Sequence, residues 1–146
     1  MKHLAPILAF GLAGSPASAD FIETAWRVTG FTGEAWGTDT AALIGAVQEF
    51  SGGWASGPFF ACDHTGLSMT YTAYMPDDFF ANPEFALFAP LAEEIRAGTR
   101  RVFVHRISCP GAGGAAPRAI YPFVTTNARR HAYYLFEGGV FVLDAP

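Results

Sequence analysis

Lysine is almost missing from this chain: Lys2 is the only one in 146 residues. Chemistry that needs an amine side chain, such as a Schiff base, is thereby excluded from the folded part. Positive charge is scarce as a whole. From Asp20 onward eight arginines face thirteen acids, a net charge of −5. A general nucleic-acid partner needs a basic face, and Arg100-Arg101 and Arg129-Arg130 are only two small local patches. Metal-ligand spacing is absent too. His64, His105 and His131 are scattered, with no His-x-x-x-His or Cys-x-x-Cys, so neither a metal nor any other cofactor is expected. There is no Gly-x-Ser-x-Gly and no calcium loop. Gly111 to Gly114 lacks the lysine and the following helix of a phosphate cradle, and reads as a loop.

Long apolar runs are lacking as well. The run from Leu4 to Gly14 falls short of the roughly 20 residues that span a bilayer, and no later segment is long and apolar enough. It does have the layout of a secretory signal peptide. Lys2 and His3 give a positive start, and Ala17-Ser18-Ala19 is a small-residue cleavage pattern. Residues 1–19 are therefore expected to be removed, leaving 20–146 as a single β-rich domain, periplasmic or secreted. No cysteine follows the cleavage pattern, which argues against a lipid anchor.

What the mature chain does contain is apolar and aromatic. Half of the sequence is hydrophobic and 15% is charged, which indicates a packed core and not a disordered tail. Most segments read as strands. Ser68 to Tyr74 alternates hydroxyl-bearing residues with Met69, Tyr71 and Ala73. Arg101 to Cys109 carries Phe103, His105, Ile107 and Cys109 on one face and Val102, Val104 and Arg106 on the other. Both faces hold apolar residues, so parity does not say which is the core. Ala132 to Glu137 and Val140 to Leu143 flank Gly138-Gly139, which reads as the tight turn of a hairpin. Ile120 to Val124 is a further strand, with Pro122 expected at an edge or a bulge. Ala41 to Phe50 fits a helix through Leu43, Val47 and Phe50, or a strand through Ile44, Ala46 and Phe50; we take the strand.

One segment has helical spacing. Asn82-Pro83-Glu84 is a helix start, followed by Phe85, Phe88, Leu91 and Ile95, with Pro90 dividing the piece and Gly98 ending it. The expected fold is mainly β with a small α insertion. It is a single antiparallel barrel or strongly curved sheet, with a short helical segment near 83–97 over one opening. Trp26-Arg27-Val28, Gly45, the run from Gly57-Pro58 to Cys62, Tyr71 and Cys109 resemble small secreted bacterial proteins of lipocalin-like or META-like type. That resemblance implies a lipocalin-like β-barrel and carries over no site residue.

Cys62, Asp63 and His64 adjoin, which raises the question of a nucleophile beside a base. An even pair of cysteines in an exported chain reads first as a disulfide, and Cys62 and Cys109 each end a strand. The expected reading is a staple between them. The aromatics read first as core and barrel lining, and as the alternative they mark a ligand site. There Phe85 and Phe88 would form a lid with Phe79-Phe80, near Trp54, Phe59 and Phe60, with Tyr71, His105 or Arg106 as polar anchors. The sequence thus points to a non-enzymatic binding protein that carries or senses a small apolar molecule. The alternative is a protein-binding module of the cell envelope, acting as an enzyme inhibitor or assembly factor.

Overall fold

The structure is a computed structural model that describes residues 22, 24–34, 39–62, 67–97, 99–108, 122–128, 130–136 and 138–146. The proposed signal peptide, Asp63, His64, Gly98, Cys109 and the Gly111–Gly114 loop lie outside the described residues. Eight strands make up nearly half of the described residues. They are β1 (Ala25–Gly33), β2 (Val47–Ser51), β3 (Trp54–Ser56), β4 (Ser68–Tyr74), β5 (Val102–Ser108), β6 (Phe123–Thr126), β7 (His131–Phe136) and β8 (Gly139–Asp144). All pair antiparallel in one sheet of order β3-β2-β1-β8-β7-β6-β5-β4.

That order is informative. In a closed up-and-down barrel every strand pairs with the next in sequence and the last returns to the first. Here β8 does return to β1, and among the described residues only the β3–β4 pairing is not made. The result is a strongly curled half-barrel with a seam between β3 and β4. A bulge at Thr29 tightens the curl: Val28 pairs with Leu143 while Gly30 pairs with Val142. The extra residue shifts the alternation, so Trp26, Val28 and Phe31 all join the packing of the concave face.

Two cores follow from the two faces. On the concave side Trp26, Phe50, Phe60, Phe123, Tyr134 and Phe141 form one buried cluster. Their rings meet edge-on or tilted, with Phe50 5.3 Å from Phe123 and Phe60 4.9 Å from Tyr134. Cys62 and Ile107 belong to the same cluster, so the concave core draws on both sides of the seam. On the convex side Val102, Val104, Val124, Tyr133 and Val140 pack with Phe79, Phe85, Phe88 and Ile95. This second cluster explains why both faces of β5 are apolar: each lies under a core.

The cover of the convex face is the helical segment between β4 and β5. It comprises α2 (Pro76–Ala81), a 3-10 helix (Pro83–Leu91) and α3 (Ala92–Arg96). Asn82 opens the 3-10 helix by accepting the Glu84 N–H at 3.0 Å, and Pro83 fills the first turn where no donor is needed. The segment therefore lies where its spacing predicts, near 83–97, but it begins earlier, at Pro76. Its place differs from the expectation. It does not sit over a barrel opening; it packs on the outside of the sheet, because its phenylalanines meet the outward-facing valines of β5, β6 and β8. Arg106 ties it to β5 through Glu84 at 3.1 Å. Exposed pairs of this kind contribute little, so burial of the phenylalanines holds the segment.

Three local expectations change. Residues 41–50 divide: a single helical turn, α1 (Thr40–Leu43), capped by Asp39, precedes strand β2. The β7–β8 turn is one residue earlier than expected. Phe136 pairs with Gly139, which is therefore a strand residue, and Gly138 holds the positive φ of 87°. Pro122 stands just before β6, an interior strand and not an edge, and its carbonyl accepts the Leu135 N–H at 3.3 Å.

Candidate functional site

The six residues expected to share one site are divided among several places. Phe85 and Phe88 are buried on the convex side, under the helical segment, and so do not line a mouth. Phe60 is packed into the concave core. Trp54 is 39% exposed on β3. Only Tyr71 and His105 meet. They are partners in the β4–β5 register, and their rings lie 5.9 Å apart.

Around that pair the described side chains of the concave face are more exposed. Over β6–β8 and β1–β3 the rings close on one another, with Phe59 4.6 Å from Tyr134 and 5.0 Å from Phe141. Over β4 and β5 the inward positions are Met69, Tyr71, Ala73, Phe103, His105 and Ile107, because residues two apart share a face. Of these Tyr71 and Phe103 are half-buried and Ala73 is exposed. Tyr71 stands edge-on to Phe103 at 5.7 Å. His105 is only 2% exposed, and its Nε2 shares a hydrogen bond of 2.8 Å with the Thr125 hydroxyl. The patch is two aromatic rings beside one buried polar pair.

Burial sets the charge of that pair. It lowers the His105 imidazole from its ordinary 6.5 to about 4, so the ring is neutral at physiological pH. A hydroxyl beside an imidazole is also how nucleophilic catalysis begins, and the comparison is instructive. A general base is most effective when its pKa lies near the working pH, and it needs a partner to orient its second nitrogen. His105 is far too weak a base, and among the described residues no carboxylate pairs with it. Its chemistry is that of a neutral hydrogen-bonding anchor. Among the described residues the carboxylate that meets a histidine is Asp144, on the convex side, bonded to Nδ1 of His131. Among the described residues no group of three His, Cys, Asp or Glu side chains can hold a metal ion.

The depressed pKa makes a stability prediction. The unfolded chain takes up a proton at His105 near pH 6.5, and the folded chain only near pH 4. Stability contributed by the neutral ring is complete above pH 6.5 and is lost as pH falls through that window. Going from pH 7 to pH 4.5 should cost about 2–3 kcal/mol more in the native protein than in His105→Asn, which cannot titrate. Urea unfolding at the two pH values measures the difference. Equal losses in the two proteins would show that the ring is not held neutral.

Sequence reading missed Thr125 and Gln48. Thr125 carries a usable signal, since it alternates with Phe123 onto the inward face opposite Phe103 and His105. Gln48 is fully buried on the concave side opposite Trp26, and it fastens the chain from Ser56 to Phe60. Comparison with known proteins finds no match to this chain among protein families, curated proteins or solved structures.

Proposed function

We propose that the protein is an exported, disulfide-stapled, non-enzymatic binding protein that holds a small apolar molecule on the concave face over β4 and β5. The observation that supports this reading is the partial exposure of the Tyr71 and Phe103 rings beside the buried His105–Thr125 pair. Binding sites for small molecules are apolar with few polar groups, and the buried, neutral His105–Thr125 pair puts no charge beneath the two rings. The likeness to lipocalin-like and META-like proteins is part of the proposal; the cyclic strand order supports it. Native mass spectrometry of protein purified from its own host is the test. A retained small molecule supports the reading, and a chain that carries none and co-purifies with another protein refutes it.

A protein partner is the second reading, and β4 favours it. Among the described residues β4 pairs only with β5 and ends the sheet, and its seven residues include no charge and no proline. A strand of that composition is suited to accept another strand.

Export and the staple belong to the same proposal. Cys62 is buried beside the seam, no cysteine among the described residues is a free thiol, and Cys109 follows directly on the last residue of β5. A bridge there would close the seam that the strand pairing leaves. Peptide mapping without reductant should find Cys62 linked to Cys109 and a mature start at Asp20. Reduction should cost about 4 kcal/mol in the chain-entropy account. Two free thiols in exported material would refute the staple.

A further inference from the structure

Trp54 belongs to neither core. Its neighbour Ala55 is buried on the concave side, so alternation places Trp54 and Ser56 on the convex face of β3. Trp26 is 1% exposed, whereas Trp54 is 39% exposed. It borders a pocket of about 480 Å³ whose other walls are Ala55, Ser56, Ala61 and Cys62. Apart from the indole, every lining side chain is small. Glu49, exposed on β2, is paired in register with Ser56 and so stands on the same convex face. The helical segment packs on the β4–β8 wing of the sheet, away from this one.

We propose that this pocket is a second binding site and that it takes a neutral sugar ring, a pyranose of a saccharide. It is independent of the concave-face reading, since it lies at the β3 edge and, although Ala55 and Cys62 belong to the concave core, it includes none of Tyr71, Phe103, His105 and Thr125. An indole presents a broad face of negative potential, and a pyranose presents a face of C–H bonds with slight positive character. Stacking the two leaves the sugar hydroxyls at the rim, where a hydroxyl and a carboxylate can receive them. A wholly apolar molecule would leave the Ser56 hydroxyl in the pocket wall desolvated without a partner. A cation would be held by one aromatic face only, where tight recognition of quaternary ammonium groups uses a cage of several. The small walls leave room for a ring beside the indole and supply no second aromatic.

Titrating the intact protein with cellotriose and with chitotriose, and following tryptophan fluorescence, tests the assignment. At least one saccharide should give a saturable change. Trp54→Ala should weaken that binding by about tenfold or more, and Trp54→Phe, which keeps a smaller ring face, should weaken it less. Tyr71→Ala, on the other face, should leave it unchanged. Melting curves of the Trp54 variants establish that they are folded, as expected for a side chain outside both cores. No saturable change with either saccharide, or a change that survives Trp54→Ala, would overturn the proposal. A response to choline and not to saccharides, lost in Glu49→Gln, would overturn it in favour of a cation site.

Discussion

Replacing Gln48 by leucine should destabilise the protein by about 3–6 kcal/mol, although leucine is similar in size and more apolar. The carboxamide of Gln48 acts as a short piece of sheet. Its Nε2 donates to the carbonyls of Ser56 and Phe60, both at 3.1 Å. Its Oε1 accepts the N–H groups of Phe59 at 3.2 Å and Phe60 at 3.0 Å. Leucine would remove all four of these hydrogen bonds, at about 1–3 kcal/mol for each group left buried and unpaired. The segment they belong to carries Phe59 and Phe60 into the concave core, so the loss extends to packing. Gly57 is part of the same device. A Cβ there would stand 2.5 Å from Gln48 Oε1 and 2.7 Å from its Cα. Urea unfolding should show the loss in the Leu variant, and Gln48→Glu should regain some stability as its carboxyl is protonated and can donate again. A leucine variant of native stability would mean that the 56–60 segment is held by other contacts.

Gly139→Val should cost about 2–3 kcal/mol, for a reason other than the one its neighbourhood suggests. Gly139 pairs with Phe136 and with Gly33 and is a strand residue. A Cβ on it would fall 2.2 Å from Phe31 Cζ and 2.7 Å from the Thr32 carbonyl oxygen. Phe31 is already committed to Phe141, with ring centroids 4.7 Å apart, and the carbonyl is backbone, so neither yields freely. Asparagine separates this from a turn effect. It tolerates positive φ, so Gly138→Asn should be close to neutral while Gly139→Asn should destabilise nearly as much as valine. If thermal melts find both asparagine variants tolerated, the turn lies at 138–139 and the close approach is not real.

Much of the sheet can be read from its residues. β4, β5, β7 and β8 are built from β-branched and aromatic residues in alternation, and Asn82-Pro83 marks the helical segment. What could not be read is which face that segment covers. Val102 and Val104 face one way and His105 and Ile107 the other, and no alternation distinguishes two apolar faces. The lid expectation failed on that ambiguity and took Phe85 and Phe88 with it. The β7–β8 turn was displaced because Gly138 and Gly139 are identical in composition, while the reason for each is different. α2 did have a signal: Pro76 followed by Asp77 and Asp78 is a helix start, with acids favoured in the first turn. Of the expected site, Tyr71 and His105 are brought together through the strand register, whereas Trp54, in a three-residue strand, had no pattern long enough to reveal its face.

The proposed concave-face site is tested most directly by titrating the folded protein with an apolar fluorescent probe. Saturable binding is expected at about one site per chain, and Tyr71→Ala or Phe103→Ala should weaken it by about tenfold. Phe85→Ala and Phe88→Ala should instead lose about 3–5 kcal/mol of stability, and under conditions where they remain folded they should bind the probe as the native protein does. No saturable binding, or binding that weakens with the convex phenylalanines and ignores Tyr71 and Phe103, would contradict the account.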